Sequence, residues 1–526
     1  MSESIIIAGI EIPKADWDAT PASVQALVMV LSERLMHIEE QLTQNSSNSS
    51  LAPSSDTLSK TKSKSNSETS PKEQAKESTP KESKKKDKKR GRQQGDKSDK
   101  QKGFGFYPVE ECNIHHHIPI SCVHCGEVLR GVDASPHRHQ VVDIPPLPLS
   151  VEEHQLHQLT CECCGKTSRG GLPAEVPPTG YGERLVGFVG LLSSGEHRQS
   201  HSMVQSLLQV LFNLEVSRSS INRMRTQVSE AVSTPVEEAV CYVQEQSSVH
   251  SDETGFPQRN RDAQNPENRK GWLWILCVPM VMVFHVALHR SQQVSKELIG
   301  EGFKGIVHSD RYSAYNWLPV EQRQVCWAHL KRDLTKISER SGVSKDYGEA
   351  LLSYQRRLFR WWHRVRDGTM SRAQFIEAVE HLRRGVKAQL EEASAFDVGA
   401  QEKTPLAKSV RTLREILKVE SALWTFVYTP GVEPTNNIAE RGLRSGVIWR
   451  RTTQGSQSKK GSEFVERILT VTSSLKLQGR NSWEYLSEAI RAKRLGLPAP
   501  SLLPIPKPQE AAIPLALPQA ANLVVT

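Results

Sequence analysis

The hydrophobic pattern changes its period along the chain and predicts helices on both sides of a strand-rich stretch. Between Pro21 and Gln44, apolar residues recur every three or four positions, which predicts an amphipathic helix. Self-association as a short coiled coil and docking on its own chain both fit this pattern. From Gly180 to about Val240 the pattern predicts several short helices. Within them, VSRSSINRMRTQV is similar to the helix start of a helix-turn-helix unit, although we favour a plain helical bundle.

After Val249 the pattern becomes that of strands. Short β-branched and aromatic runs bounded by turn residues predict strands at VHSDETG, WLWILCV, VMVFHVAL, GIVHSDRYSAYN and QVCWAHL. The segment SQQVSKELIGEGF, between the third and fourth runs, predicts a helix. Three strands, a helix and two more strands predict the first part of a mixed α/β sheet. In both VHSD segments we expect an apolar strand to end at the aspartate, before a turn. Helical patterning returns between Asp346 and about Val427, and again after Pro434.

One apolar run invites comparison with a membrane span. The run from Trp272 to Leu288 is shorter than the ~20 residues that a spanning helix needs, and it contains Pro279 and His285. Two buried strands joined at Pro279 explain it better. The N-terminus has no basic region before its apolar run and no small-residue cleavage site, so no signal peptide is predicted. We therefore expect a soluble, cytoplasmic protein.

Composition and charge indicate that part of the chain is unpacked. The hydrophobic fraction is 37%, and the segment from 45 to 102 is rich in Ser, Lys, Glu, Gln and Pro, which predicts disorder. The formal net charge of the chain is +9, and Lys81 to Lys102 alone has 11 Lys/Arg against 4 Asp/Glu. Such a concentrated basic arm fits a polyanion, since Lys and Arg displace counterions from phosphates. A solubilising linker is the alternative.

Four of the nine cysteines form two C-x-x-C pairs. One pair is Cys122 and Cys125, and the other is Cys161 and Cys164. Each pair lies on a short turn, which is how a zinc knuckle presents two thiolates. Four thiolates around Zn²⁺ make a closed structural site, with no open position for catalysis. Additional donors leave the ligand set open: Cys112, Cys163, His124 and the run His115, His116 and His117.

Three acidic residues form a candidate catalytic constellation. The tetrapeptide Val-His-Ser-Asp occurs twice and ends at Asp252 and Asp310, which neighbouring strands would bring to one region of the sheet. Glu440 lies in GVEPTNNIAERGLR, where a helix capping box begun by Asn437 is the alternative reading. Two aspartates on strands and a glutamate on a later helix form an oxygen-rich site for Mg²⁺ or Mn²⁺. Two such ions suit in-line phosphoryl transfer.

Taken together, these motifs resemble the DDE transposases of the insertion sequence 66 family, from the basic arm to about Ile490. The motifs, in the family's order, are GRQQGDKSD, the cysteine pairs, HSDETG, KGWLWILC, GIVHSDRYSAYN, CWAHLKRDL, EPTNNIAERGLR and SSLKLQGRNSWEYL. The resemblance implies an RNase H-like core, cleavage at transposon ends and joining to target DNA. It assigns Asp252, Asp310 and Glu440 as the metal-binding triad. It also implies accessory proteins from the same element.

A DNA-processing site also needs residues that bind phosphates. Arg441 and Arg444 follow Glu440 on the predicted helix and are the preferred candidates for DNA contacts. His329, Lys331 and Arg332, in CWAHLKRDL, are further candidates, and local packing is the alternative for His329. Pairing of two transposon ends implies at least a homodimer on DNA, in the nucleoid. The rival functions are a non-catalytic zinc-ribbon DNA-binding protein and an RNase H-fold nuclease or resolvase.

The predicted organisation is therefore multidomain α/β, with an RNase H-like mixed-sheet core that contains a helical insertion. In chain order we expect an N-terminal helix (1–44), a disordered basic linker (45–102), a zinc ribbon (103–175), a helical DNA-binding or linking segment (176–245), the first part of the core (246–345), the insertion (346–428), the end of the core with the glutamate-bearing helix (429–495) and an irregular tail (496–526).

Overall fold

A computed structural model describes residues 4–7, 10–31 and 106–505, apart from 134, 146 and 174. The described residues form two compact units, one containing residues 106–151 and the other containing the rest. The expectations for the basic arm, for the N-terminal helix beyond residue 31 and for the tail beyond residue 505 lie outside the described residues.

The N-terminal residues form a small hairpin followed by helices. Strand β1 (Ser4–Ile7) pairs antiparallel with β2 (Ile10–Pro13), which leads directly into helix α1 (Lys14–Asp18). Residues 22–31 are helical and are called α2. Leu27 and Leu31 are more than half exposed on this helix. The helix predicted from Pro21 is therefore present as far as the described residues extend.

The unit of residues 106–151 has little regular structure. It contains a single helical turn at Val109–Glu111 and an isolated bridge between Ser121 and Val128. In the other unit, β3 (Gln158–Thr160) and β4 (Thr167–Arg169) form an antiparallel hairpin. The four helices that follow are α3 (Glu183–Leu192), α4 (His201–Phe212), α5 (Arg218–Ala231) and α6 (Ser233–Gln244).

A five-stranded mixed sheet forms the centre of the larger unit. Its order along the sheet is β7-β6-β5-β8-β9, antiparallel between β5, β6 and β7 and parallel between β5, β8 and β9. The predicted succession of three strands, a helix and two strands is confirmed. The elements are β5 (Ser248–Gly255), β6 (Trp272–Cys277), β7 (Met282–Ala287), α7 (Gln292–Ile299), β8 (Ile306–Ser309) and β9 (Arg323–Val325).

The long apolar run is divided between two strands, as predicted. Strands β6 and β7 are joined by a turn that contains Pro279, and each strand pairs with the other over its whole length. Among the described residues, no helix is both long and apolar enough to cross a membrane. The fifth predicted strand is shorter than expected, because β9 ends at Val325 and a helix begins at Trp327.

A group of helices follows the last strand and builds its own hydrophobic core. The core includes Trp327, Leu330, Trp362, Phe375 and Trp424, all at least nine-tenths buried. The short helical turns Ser313–Tyr315 and Val320–Gln322 precede the group, between β8 and β9, whereas Ser421–Leu423 lies within it. The helices are α8 (Trp327–Ser338), α9 (Val343–Arg366), α10 (Arg372–Ser394), α11 (Pro405–Leu417) and α12 (Thr425–Tyr428).

Three further helices close the unit over the sheet: α13 (Asn437–Thr453), α14 (Lys459–Gln478) and α15 (Ser482–Leu495). Helix α13 approaches the sheet closely through two glycines one turn apart. A Cβ at Gly442 would lie 2.5 Å from Ile275 of β6, and one at Gly446 would lie 2.2 Å from Leu273. A larger residue at either position would have to displace these side-chain ends, so the two glycines favour the close approach of α13 to the strands.

Helix α14 protects the edge of the sheet. The outward backbone N–H groups of β7 at Met282, Phe284 and Val286 donate to Ser474 Oγ, Thr470 Oγ1 and Glu466 Oε2, at 2.9–3.0 Å. These side chains are spaced four residues apart on α14, so they lie along one face of the helix. An edge strand normally leaves such groups unpaired. Here a helix satisfies them without adding a sixth strand.

Candidate active site

The two Val-His-Ser-Asp segments lie side by side in the sheet. Strands β5 and β8 are parallel, and their register pairs Val249 with Val307 and His250 with His308. The two imidazole rings stack at 3.9 Å between centroids. Because the repeats are in identical register, the aspartates that follow them lie at the same end of the two strands. The sequence expectation that both carboxylates reach one region of the sheet is supported by this register.

Asp252 does not end its strand, contrary to the sequence expectation. Strand β5 continues to Gly255, because Asp252 to Gly255 pair with Ile275 to Trp272 of the long strand β6. Burial, followed by repulsion from Glu253 and Asp310 and a smaller contribution from Glu440, raises the pKa of Asp252 well above its usual range. Asp310 and Glu440 therefore lie near enough to Asp252 to repel its charge.

Asp310 occupies the position that the pattern predicted, immediately after β8. Its Oδ1 accepts a hydrogen bond from the backbone N–H of Tyr312 at 2.9 Å, which is typical turn geometry. The Tyr312 hydroxyl in turn donates to the Arg290 carbonyl at 2.7 Å. Within the described part of the chain, neither Asp252 nor Asp310 has a cation within ion-pair distance.

Glu440 is not a capping residue. Helix α13 begins at Asn437, its N-cap residue Asn436 makes no side-chain cap, and Glu440 lies in the second half of the first turn. Its carboxylate instead points to helix α8, where Oε2 lies 3.4 Å from Arg332 and Oε1 lies 3.4 Å from His329 Nδ1. The latter two atoms lack hydrogen-bond geometry and are buried without a partner among the described residues. The capping-box alternative is therefore wrong.

Asn436 ties the glutamate-bearing helix to the strand that carries Asp252. The residue is fully buried. Its Nδ2 donates to the Ser251 carbonyl at 2.7 Å, and its Oδ1 accepts from His250 Nδ1 at 3.0 Å. Its backbone N–H donates to Cys326 Sγ at 3.1 Å. One side chain thus fixes the start of α13 against β5, at the residue next to Asp252.

Cys326, His329 and Glu440 form a compact group of metal-ligating side chains. One atom from each lies within 4.8 Å of the other two, and within the described ranges this is the one such group of three. The ligand atoms of Asp252, Asp310 and Glu440 do not all lie within this distance of one another. Burial raises the pKa of the Cys326 thiol to about 11. Sequence reasoning missed Cys326, although its C-x-x-H spacing with His329 at a helix start was a usable signal.

A buried ion pair behind the strand was also missed. Glu253 points away from Asp252, and its side chain is 1% exposed. Arg290 donates to it from Nε at 2.7 Å, and the Tyr315 hydroxyl donates at 2.6 Å. The Arg290 guanidinium also lies 3.6 Å from the centre of the Tyr312 ring. The network therefore supports the turn that holds Asp310, and the charged residue beside Asp252 in HSDETG was its only signal in the sequence.

The predicted DNA-contact residues divide into two groups. Arg441 and Arg444 are exposed on α13, and Lys331 is exposed on α8. His329 and Arg332 are mostly buried and face Glu440. Arg441, Arg444 and Lys331 are therefore available to a ligand that approaches the acidic cluster, whereas His329 and Arg332 are positioned to hold the glutamate.

The two cysteine pairs have the same local geometry. In one, Cys122 N–H donates to the Glu127 carbonyl and Gly126 N–H donates to the Cys122 carbonyl, both at 2.8 Å. Cys161 makes the equivalent bonds with Lys166 and Gly165, at 2.8 and 2.9 Å. Backbone N–H groups of the turn lower the pKa of the first cysteine in each pair. The pairs belong to different compact units, so a shared zinc site stays a prediction.

Comparison with known protein families identifies the larger unit. The family described as "Transposase IS66 family" matches residues 197–464 of the 526, slightly more than half of the chain. The chain belongs to the IS66 transposase family. The match spans the sheet, the acidic cluster and the helices between them. The resemblance inferred from the motifs is confirmed, and family membership implies a DNA-processing enzyme that binds DNA.

The IS66 transposase also has relatives in Sinorhizobium fredii. It is 24% identical over 436 residues to the uncharacterized protein y4qI, covering 77% of both chains. It is 22% identical over 412 residues to the uncharacterized protein y4hP, covering 71% of this chain and 70% of the relative. These relatives extend the similarity well beyond the matched family region, without adding a described activity.

Proposed function

We propose that this IS66 transposase cleaves DNA at transposon ends and joins them to target DNA, using metal ions held by Asp252, Asp310 and Glu440. The observation that supports the proposal is the convergence of three carboxylates from distant parts of the chain. Asp252 comes from β5, Asp310 from the turn after β8 and Glu440 from α13, and both of the latter repel the charge on Asp252. Such an arrangement is unfavourable unless cations neutralise it.

The donor set fits Mg²⁺ or Mn²⁺. Carboxylate oxygens are the ligands that these ions prefer. The buried Oε1 of Glu440 has no hydrogen-bond partner among the described residues, which leaves a lone pair for a metal. When bound, such ions activate a water or a 3′-hydroxyl and stabilise the leaving oxygen in phosphoryl transfer. The Arg332 guanidinium holds the other oxygen, Oε2, at 3.4 Å and so orients the carboxylate.

An RNase H-like core is part of the proposal. Three consecutive antiparallel strands, a helix and two parallel strands, in the order β7-β6-β5-β8-β9, support it. In this arrangement the first strand lies at the centre of the sheet and carries the first acid. The helices α9 to α12, inserted before Glu440, then lie between the second and third acids in sequence.

Phosphate contacts would come from exposed cations near the cluster. Arg441 and Arg444 lie on the exposed side of the helix that carries Glu440, and Lys331 lies on α8 beside His329. One guanidinium group can donate two parallel hydrogen bonds to the oxygens of one phosphate, which suits a role in orienting the DNA backbone. We include pairing of two ends by a homo-oligomer, accessory proteins of the same element and a nucleoid location in the proposal.

Substitutions of the acids test catalysis. Asp252→Ala and Glu440→Gln are expected to abolish metal-dependent cleavage of cognate ends, whereas the exposed Asp346→Ala on α9 is expected to leave it unchanged. If cleavage survives both triad changes, the triad assignment is wrong and a non-catalytic DNA-binding protein becomes the better description. Strand transfer from pre-cleaved 3′-hydroxyl ends separates a transposase from a nuclease, which would give no joined product.

The structural zinc is tested by metal analysis. We propose that Cys122, Cys125, Cys161 and Cys164 bind one Zn²⁺, supported by the two matching turns in which backbone N–H groups surround the first thiolate. One equivalent of zinc is expected in purified full-length protein, and Cys122→Ser with Cys161→Ser should remove it. A zinc content near zero in the unsubstituted protein would exclude the site.

A further inference from the structure

Helix α9 carries a concentration of arginines on one exposed side. From Ser353 to Arg366 the sequence contains five arginines and no acidic residue. All five are exposed, and four of them, Arg356, Arg357, Arg360 and Arg364, lie on one side of the helix; we call these four the arginine stripe. At about 100° per residue they lie within roughly 100° of the helix circumference and extend over about 12 Å.

The buried residues of the same helix lie on the opposite side. Leu358 is 1% exposed and Trp362 is 6% exposed, and both belong to the hydrophobic core of the helical insertion. The arginine stripe therefore faces solvent while the rest of the helix is anchored. Its position is fixed by the fold, unlike that of a charge cluster on a free loop.

Among the described residues, no carboxylate lies within ion-pair distance of the stripe, and Asp367 attracts Arg364 only at a longer distance. Arg364 donates to the neutral Thr369 carbonyl, and the nearby Asp367 carboxylate accepts from Thr369. Three exposed lysines elsewhere in this region differ, because each of the three has an acidic partner within 4 Å. The lysine pairs are Lys345 with Glu349, Lys387 with Glu391 and Lys418 with Glu415.

The arginines also repel one another. Arg360 lies four residues from Arg356 and from Arg364, and three residues from Arg357, and like charges at these spacings destabilise a helix. Among the described residues, an acidic side chain offsets this repulsion only at the Arg364 end of the stripe, where Asp367 lies nearby. A bound polyanion would offset it.

The stripe lies at the catalytic end of a helical hairpin. Helices α8 and α9 are joined by residues 339–342. The Phe359 ring on α9 packs edge-on against the Trp327 ring, the first residue of α8, with 6.4 Å between centroids. His329 and Arg332, which contact Glu440, follow Trp327 within two turns. The stripe-bearing half of α9 therefore runs back towards the acidic cluster.

We propose that the arginine stripe binds the phosphates of duplex DNA beside the position of cleavage. The placement of the cleaved bond rests on the proposed function, whereas the binding of duplex DNA does not. Arginine contacts to phosphates hold the duplex without reading its sequence. A helix with three to four unpaired, anchored guanidinium groups suits this role better than it suits base recognition.

The salt dependence of DNA binding tests the proposal. Binding of full-length protein to a fluorescent duplex of arbitrary sequence is measured by anisotropy at several salt concentrations, without divalent metal. Each lost phosphate contact lowers the slope of log K against log salt by about 0.9. The triple variant Arg356→Gln, Arg360→Gln and Arg364→Gln should therefore lower the magnitude of the slope by about 2.7.

A matched variant controls for net charge. Lys345→Gln, Lys387→Gln and Lys418→Gln removes the same charge from the same region, at positions that are ion-paired. The slope of log K against log salt for this control variant should differ from that of the unsubstituted protein by less than about 0.9, the value of one phosphate contact. Equal slopes for all three proteins, equal losses in both variants, or no binding by the unsubstituted protein would each overturn the proposal.

Two further variants keep the outcomes separate. If the triple variant fails to fold by circular dichroism, Arg360→Gln alone should lower the slope by about 0.9, and an unchanged slope overturns the proposal. Asp252→Asn should cleave no DNA while keeping the full slope. If the unsubstituted protein also fails to cleave DNA, but the salt-dependence slopes differ between the variants as expected, the proposed catalysis is refuted and the proposal for the arginine stripe is supported.

Discussion

Asn436→Ala removes the side chain that joins the glutamate-bearing helix to β5. In the unsubstituted protein, the Asn436 side chain bonds to the Ser251 carbonyl at 2.7 Å and to the His250 Nδ1–H at 3.0 Å. The change leaves both groups without this partner. A buried polar group left unpaired costs about 1–3 kcal/mol, so the two together predict a loss of about 2–6 kcal/mol in the free energy of unfolding. The backbone bond to Cys326 remains.

The same change should displace Glu440 relative to Asp252. A misplacement of about 1 Å in a catalytic group costs about 100-fold in rate, so we expect single-turnover cleavage to fall by about that factor. Urea unfolding measures the stability. Cleavage is assayed without urea, at a temperature at which the variant is folded. The two measurements separate loss of structure from loss of alignment.

Asn265→Ala is the matched control. Asn265 is 1% exposed and lies in the connection between β5 and β6. Its Nδ2 donates to the carbonyls of Gln258 and Arg269, at 2.9 and 3.0 Å. Its loss should destabilise the protein by a similar amount, with cleavage changed less than about threefold. The positioning role of Asn436 is refuted if both variants lose cleavage equally, or if Asn436→Ala costs no stability.

Further substitutions probe charge in the same unit. Asp252→Asn should raise the metal-free stability at pH 7, because the raised pKa of Asp252 shows that its charge is unfavourable; a lower urea midpoint would contradict this. Burial also raises the pKa of Glu253, but Glu253→Gln leaves the Arg290 guanidinium without its carboxylate and should cost about 2 kcal/mol in the free energy of unfolding, measured in urea. The loss is smaller than for a fully buried pair because Arg290 is 28% exposed. Burial, with repulsion from Arg225, lowers the pKa of His201 to about 4. A neutral His201 therefore stabilises the fold above pH 6.5, and this contribution is lost between pH 6.5 and 4. Urea midpoints should fall over that range more for the unsubstituted protein than for His201→Gln; parallel curves would contradict the shift.

The strands were predictable because their sequence pattern is local. The runs WLWILC and MVFHVA are β-branched and aromatic over six residues, and both form strands of the sheet. The repeated Val-His-Ser-Asp also predicted that Asp252 and Asp310 lie near each other, and the parallel register of β5 and β8 agrees with this prediction. The length of β5 was not predictable, because it depends on pairing with β6.

The contacts around Glu440 depend on residues distant in the chain. The local sequence Asn-Ile-Ala-Glu equally describes a capping box, and only the approach of α8 directs the carboxylate to His329 and Arg332. Asn436 bonds to Ser251 across 185 positions of sequence. The arginines of α9 are visible in the sequence, but the lack of acidic partners depends on how the insertion packs.

The protected edge of β7 also limits what incomplete copies of this protein can do. A chain that stops before residue 459 contains all three acids but lacks the serine, threonine and glutamate that occupy the β7 backbone. Its outermost strand would then offer free hydrogen-bond donors to the same strand of another copy. Such a truncated chain should therefore aggregate through this strand instead of remaining a free fragment that competes with intact transposase for DNA.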